Sequence, residues 1–291
     1  MFQGSLVALI TPFRKGAVDG KAFQAFVDWQ IKEGTNGVVP CGTTGESPTL
    51  SHAEHMRVTE LCLEVAKGRV PVIAGTGSNS TAEAIDLTRH AKAAGADAVL
   101  VVTPYYNKPT QEGLYQHFKA IHDAVDIPII IYNIPPRSVV DMTVATMARL
   151  AELPNIIGVK DATGDPTRPL DTKLAITKTF CQLSGEDPAV LALLVAGGDG
   201  CISVTANVAP RLCATMHDSW RSGDAKGTLA VHERLMPLHR ALFAETSPAP
   251  VKYATSLLGH CTAEVRLPLV EPLPATRERV AGAMRHAGVL N

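Results

Sequence analysis

Short runs rich in β-branched and aliphatic residues, each closed by turn residues, recur along the chain as far as Thr205, with amphipathic stretches filling the intervals. Eight runs stand out: Leu6–Thr11, Gly37–Cys41, Pro71–Gly75, Ala98–Thr103, Pro128–Asn133, Ile156–Asp161, Phe180–Gly185 and Cys201–Thr205. Over most of this region they lie about 30 residues apart, the length of one strand–helix unit. Several are apolar throughout, as in Pro128-Ile129-Ile130-Ile131-Tyr132. A strand in a parallel sheet covered on its outer face has no solvent side, so its hydrophobic alternation disappears.

The intervals carry helix signals. Asp19-Gly20-Lys21-Ala22-Phe23 opens one helix, with Phe23, Phe26 and Val27 at helical spacing. Ser51-His52-Ala53-Glu54 is a capping box, and Ser80-Thr81-Ala82-Glu83 offers a second cap. Gly34 after Glu33 and Gly95 after Ala94 read as C-terminal stops. Strand and helix alternating eight times imply an α/β chain with an all-parallel sheet, and that number suggests closure into a (β/α)8 TIM barrel. After about residue 224 the strand runs stop, and helical patterns follow at Asp224–Glu245, Val251–Leu258 and Pro274–His286. Pro-rich turns at 247–250 and 267–272 separate them. The expected organisation is a barrel over residues 1–224 and a C-terminal helical extension, three helices long, over residues 225–291.

Composition adds mainly exclusions. A chain of 291 residues, 46% hydrophobic and 19% charged, can bury a large core. Its net charge of -1 recruits neither nucleic acid nor an anionic membrane, so a small-molecule partner is expected. The first residues lack a basic leader and a long apolar run, and no segment is long enough to span a bilayer, so a cytoplasmic location is expected. The six cysteines form no CxxC pair and sit mostly in apolar segments, which favours buried, reduced thiols. His52 and His55 are near enough to share a metal, but no third ligand is evident and HExxH is absent. Gly75-Thr76-Gly77-Ser78-Asn79-Ser80 lacks the third glycine of a dinucleotide fingerprint, and no GK[ST] is present. Neither a metal nor a cofactor is therefore expected.

Active sites of such barrels lie at the C-terminal ends of the strands. Lys160 ends the apolar run Ile156-Ile157-Gly158-Val159, where it either reaches solvent or pairs with Asp161, or else serves as a partly desolvated amine that attacks a ketone and forms an iminium electron sink. Tyr132, Tyr106 and Thr43 supply hydroxyls that could relay protons to a carbinolamine; Tyr132 could equally be a core aromatic. Thr43-Thr44-Gly45 reads as a plain turn or as a nest of hydroxyl and N–H donors for a carboxylate. Arg137, stiffened by Pro135 and Pro136, is either a solvated loop residue or a bidentate clamp for a second carboxylate.

The motifs GTTGE (Gly42–Glu46), VTPYYNKPTQEGLYQHFKAI (Val102–Ile121), YNIPPR (Tyr132–Arg137) and GVKDATG (Gly158–Gly164) together closely resemble the dihydrodipicolinate synthase family. The resemblance extends through Leu183–Gly185, Gly200–Asn207 and Arg234–His239, essentially the whole chain. It implies a class I, Schiff-base-forming lyase that condenses pyruvate with L-aspartate 4-semialdehyde, the first committed step toward diaminopimelate and lysine. On that resemblance Lys160 forms the imine, and Thr43, Tyr132 and Tyr106 relay protons, Tyr106 crossing from a neighbouring subunit. Thr44 binds the pyruvate carboxylate, Arg137 holds the semialdehyde carboxylate, and Gly185 and the carbonyl of Ile202 line the pyruvate pocket. A homotetramer built as a dimer of dimers is implied, as is feedback inhibition by L-lysine through Ser47, Leu50, His52, His55, Asn79, Glu83 and Tyr105. Asp161, where the family often has Glu, and Pro136, commonly Ser, depart from the pattern without removing a catalytic group.

Two other readings compete. An N-acetylneuraminate lyase or keto-sugar-acid aldolase would use the same lysine and tyrosine, although Arg137 favours a short acidic aldehyde. A barrel that only senses lysine or pyruvate would be inactive, yet the whole lysine, tyrosine, threonine and arginine set is in place.

Overall fold

The computed structural model describes residues 2–291, and the chain is a (β/α)8 barrel with helices after its last strand. The barrel strands are β1 (Gly4–Ala8), β2 (Gly37–Val39), β3 (Ile73–Gly75), β4 (Ala98–Val102), β5 (Ile129–Asn133), β6 (Ile156–Asp161), β7 (Cys181–Ser184) and β8 (Gly200–Ser203). All eight overlap the apolar runs: six lie within them, whereas β1 begins two residues before Leu6 and β8 one residue before Cys201. The helices are α1 (Gly20–Lys32), α2 (His52–Ala66), α3 (Thr81–Ala94), α4 (Gln111–Ala124), α5 (Val144–Ala151), α6 (Arg168–Ala175), α7 (Val190–Val195), α8 (Pro210–Arg221), α9 (Ala225–Ala241), α10 (Ala249–Leu257) and α11 (Pro274–Ala287). No helix among the described residues is long and apolar enough to cross a membrane.

By contact density the chain divides into two compact units, one of Val72–Ile202 with the residues up to Gln3, the other of Gly4–Pro71 with Ser203–Asn291. In the first, β3 through β8 pair in sequence order, every pair parallel. Its core is built from strand residues such as Val99, Val101, Ile129, Ile131 and Val159 against Leu114, Phe118, Ile121, Met147 and Leu150 of α4 and α5. Burial on both faces is why these strands are apolar without alternation. In the second unit β1 and β2 are parallel, with Val7 opposite Val38, and the N–H of Val38 donates to the carbonyl of Pro71 (3.0 Å).

The helix signals act as their chemistry requires. The Asp19 carboxylate accepts from the N–H of Ala22 to start α1, Ser51 and Glu54 close a reciprocal box at α2, and Ser80 accepts from Glu83 at α3. Gly95 ends α3 in the left-handed region at φ 98°, which costs a glycine little.

Glu54 also binds elsewhere in its unit. Arg266 grips its carboxylate with both terminal nitrogens (2.7 and 2.6 Å), and this pairing, with its charge, holds the carboxyl down at about 2 from its ordinary 4.5. A carboxyl depressed on folding contributes stability above its unfolded value, and the contribution is lost as pH falls through the folded one. Glu54→Gln keeps a capping residue but removes the charge. It should cost about 2 kcal/mol at pH 7, allowing for the pair's partial exposure. In thermal melts the gap to the parent protein should narrow steadily below pH 4.5; a gap independent of pH would contradict this account.

Candidate active site

β6 and β5 bring the central residues together. Between Ile129 and Ile130 the register shifts by one, so Ile130 faces Gly158 and Tyr132 faces Lys160. Directly opposed residues of parallel strands project to the same face of the sheet. The lysine Nζ accordingly lies 4.1 Å from the centre of the Tyr132 ring, with both residues 5% exposed. Gly158 permits this packing, since a Cβ there would sit 2.5 Å from the backbone oxygen of Cys181 on β7.

The mundane alternative for Lys160 does not hold. The lysine is buried, and Asp161 is engaged with other groups: its Oδ2 pairs with Arg168 Nε (3.0 Å), and its Oδ1 accepts from the N–H of Thr163 (2.9 Å). Arg168 also reaches Asp141, to which Asn133 donates at 2.8 Å. This polar ring of Asn133, Asp141, Asp161 and Arg168 carries the residues next to Tyr132 and Lys160 and braces the ends of both strands.

Gly185 closes on the lysine from β7. Its N–H donates to the carbonyl of Asp161 (2.6 Å), and a Cβ at this position would stand 3.1 Å from Lys160 Cε and 2.8 Å from Ala162 Cβ. Any side chain here would crowd the lysine stem, so the position suits glycine. Glu186 follows, its carboxyl raised above the usual range by burial and by Asp187, while the cations of Lys160 and Arg137 pull it the other way. Arg137 is exposed and sits in a single helical turn, Pro135–Ser138, which the two prolines initiate. Ile202 is fully buried on β8.

In the other unit Thr43 and Thr44 follow β2 in a tight turn. The N–H of Gly45 donates to the carbonyl of Gly42 (3.1 Å), that of Glu46 to Thr43 (3.1 Å), and that of Ser47 to Gly42 (3.4 Å). These bonds consume the later N–H groups, so the donors suited to a carboxylate are those of Thr43 and Thr44. Thr44 is buried and Thr43 half-buried.

Tyr106 differs from the buried residues in its exposure. Its side chain is 89% exposed, and its backbone is held at φ 70°, a conformation that bulky residues rarely adopt without a functional reason. Its neighbour Tyr105 turns instead toward Ser78 and Asn79, and burial, with the charge of Glu83 adding to it, raises the phenol above its usual range. The Ser78 hydroxyl hydrogen-bonds Glu83, and Asn107 donates to the carbonyl of Asn79 (2.8 Å). Asn79, Glu83 and Tyr105 thus form one cluster. Ser47, Leu50, His52 and His55 gather at the start of α2, with Leu50 and His55 buried and His52 exposed.

Two features had no local signal in the sequence: Glu186 lies two residues beyond the end of β7, and Arg168, the partner of Asp161, lies on α6. None of the six cysteines, all among the described residues, is joined in a disulfide, and burial pushes the thiols of Cys41 and Cys181 up to about 12 and that of Cys261 to about 11.

Comparison with known proteins gives one answer. A model described as the dihydrodipicolinate synthetase family matches residues 1–287. A 4-hydroxy-tetrahydrodipicolinate synthase of Rhodospirillum centenum is 69% identical over 290 residues, covering 100% of each chain. The structure of chloride-inhibited dihydrodipicolinate synthase from Acinetobacter baumannii complexed with pyruvate is similar with a TM-score of 0.97 and 46% identity, covering 100% of both chains. That of the enzyme from Cyanidioschyzon merolae with lysine bound is similar with a TM-score of 0.96 and 36% identity, covering 99% of both.

Proposed function

The chain belongs to the dihydrodipicolinate synthetase family, and from this we infer that it condenses pyruvate with L-aspartate 4-semialdehyde to give 4-hydroxy-tetrahydrodipicolinate. The observation that carries the reading is the buried Lys160 amine 4.1 Å from the Tyr132 ring on the neighbouring strand. As the free amine, Lys160 attacks the ketone of pyruvate; loss of water yields an iminium that draws electrons from the adjacent carbon. That carbon loses a proton, the resulting enamine adds to the aldehyde carbon while the aldehyde oxygen takes up a proton, and the amino group of the semialdehyde then attacks the iminium carbon, closing the ring and expelling the Lys160 amine. Tyr132, Thr43 and Tyr106 move protons to and from the carbinolamine oxygen, and neutral hydroxyls do so without opposing the iminium charge.

Substrate binding follows the same residues. Thr44 takes the pyruvate carboxylate, Gly185 and the carbonyl of Ile202 bound the ketoacid pocket, and Arg137 clamps the carboxylate of the semialdehyde. The pyruvate complex of the Acinetobacter baumannii enzyme supports pyruvate as the ketoacid. Exposure of Tyr106 on a strained backbone supports its crossing into a neighbouring subunit, within a homotetramer made as a dimer of dimers. Largely buried thiols without disulfides fit work in the reducing cytoplasm.

L-Lysine acts as a feedback inhibitor through Ser47, Leu50, His52, His55, Asn79, Glu83 and Tyr105. The lysine-bound relative supports this, as does the chemistry of the Glu83 and Tyr105 cluster, a carboxylate for an ammonium beside donors for a carboxylate.

A coupled assay with pyruvate and aspartate semialdehyde, run beside cleavage of N-acetylneuraminate, tests the assignment. Condensation should proceed and sialate cleavage should be at background. Cleavage without condensation would move the chain to the aldolase reading.

A further inference from the structure

Lys252 on α10 is wholly buried, and so is its partner Glu46, whose Oε1 lies 2.7 Å from the lysine Nζ. Burying two charges costs about as much as their attraction returns, and an apolar pair of similar volume often serves stability as well. Stability therefore does not account for the pair. Its place in the fold does.

Glu46 is the last residue of the turn that carries Thr43 and Thr44, and it stands in the left-handed region at φ 55°. That backbone is unfavourable for glutamate unless its surroundings hold it. Both carboxylate oxygens are held: Oε1 by Lys252, Oε2 by the N–H of Arg266 at 3.0 Å. The backbone of the same residue closes the turn, its N–H donating to the carbonyl of Thr43 (3.1 Å) and its carbonyl accepting from Thr49 (3.0 Å). The preceding Gly45 is pinned as well. Its carbonyl accepts from Thr11 Oγ1 (2.7 Å), and a Cβ there would lie 3.1 Å from the Leu9 oxygen. The lysine in turn has little freedom, because its Nζ also rests 3.9 Å from the Phe13 ring, which Arg266 covers at 4.3 Å.

We propose that Glu46 and Lys252 are positioning residues for the ketoacid site, the buried pair locking residues 42–46 so that Thr43 and Thr44 meet pyruvate at the right angle. The inference rests on the reading of those two threonines as pyruvate ligands. Displacing a binding group by about 1 Å can cost on the order of 100-fold, so a loosened turn should register in substrate binding before it registers in folding.

The test is the double variant Glu46→Gln/Lys252→Met, which removes both charges at nearly constant volume, assayed beside Thr44→Val. The double variant should fold, with a melting temperature within a few degrees of the parent, and its KM for pyruvate should rise about tenfold or more with a smaller change in kcat. Borohydride trapping should fall at low pyruvate and recover at saturation. In the Thr44→Val background the double substitution should have little further effect on KM. A purely structural pair would instead lower the melting temperature and the active fraction while leaving KM unmoved. A folded double variant with pyruvate KM within about twofold of the parent overturns the proposal, provided Thr44→Val raises KM. If Thr44→Val leaves KM unchanged, the reading of the threonines fails, and the proposal with it. Should the double variant not fold, Glu46→Gln alone is held to the same thresholds.

Discussion

Lys160→Ala should lower the condensation rate by about 10^4-fold or more, the scale of loss when a covalent nucleophile is removed, with no comparable loss of fold. The side chain is buried against Tyr132 and beside Gly185, so truncation removes the amine without cutting a salt bridge; the neighbouring Asp161 is already paired with Arg168. Steady-state rates with both substrates, read beside circular dichroism, check it. A variant retaining more than a few per cent of parent activity would require another nucleophile.

Tyr132→Phe should come second, with kcat falling by about 10^2- to 10^4-fold, the usual contribution of a positioned acid–base group. The ring remains, so packing against Lys160 and the pairing of β5 with β6 should persist. On the proposed role of the phenol as proton donor to the carbinolamine, imine formation should slow with the overall rate, and pyruvate KM should change less than kcat. Pre-steady-state trapping of the imine separates these effects. A loss confined to KM would make Tyr132 a binding residue and return proton transfer to other groups.

The barrel was legible because each parallel strand is buried on both faces and so appears as an uninterrupted apolar run, as in Ile129–Tyr132. Helix starts at Asp19, Ser51 and Ser80 were legible because capping is local chemistry, settled within three residues. The hairpin Phe13–Val18 was not, since strands of two residues carry no periodicity. Nor was the helical turn Pro135–Ser138, read from its prolines as a stiff loop although proline also suits the first helical position.

The site divides along the same line. Lys160, Tyr132 and Thr43-Thr44 announce themselves by polarity at the ends of apolar strands. Their supports do not, because each depends on a partner far away in the chain. Glu46 finds Lys252 across 206 residues, and Arg266 reaches Glu54 across 212. Sequence shows that these charges exist; only the fold shows which of them are buried and what they hold still.

The central claim is that the amine of Lys160 bonds covalently to pyruvate, and sodium borohydride tests it directly. Reduction in the presence of pyruvate alone should add one carboxyethyl group per chain in the intact mass, map to the peptide containing Lys160, and inactivate the enzyme in proportion. An unmodified chain, or a modification carried by another lysine, would contradict the account.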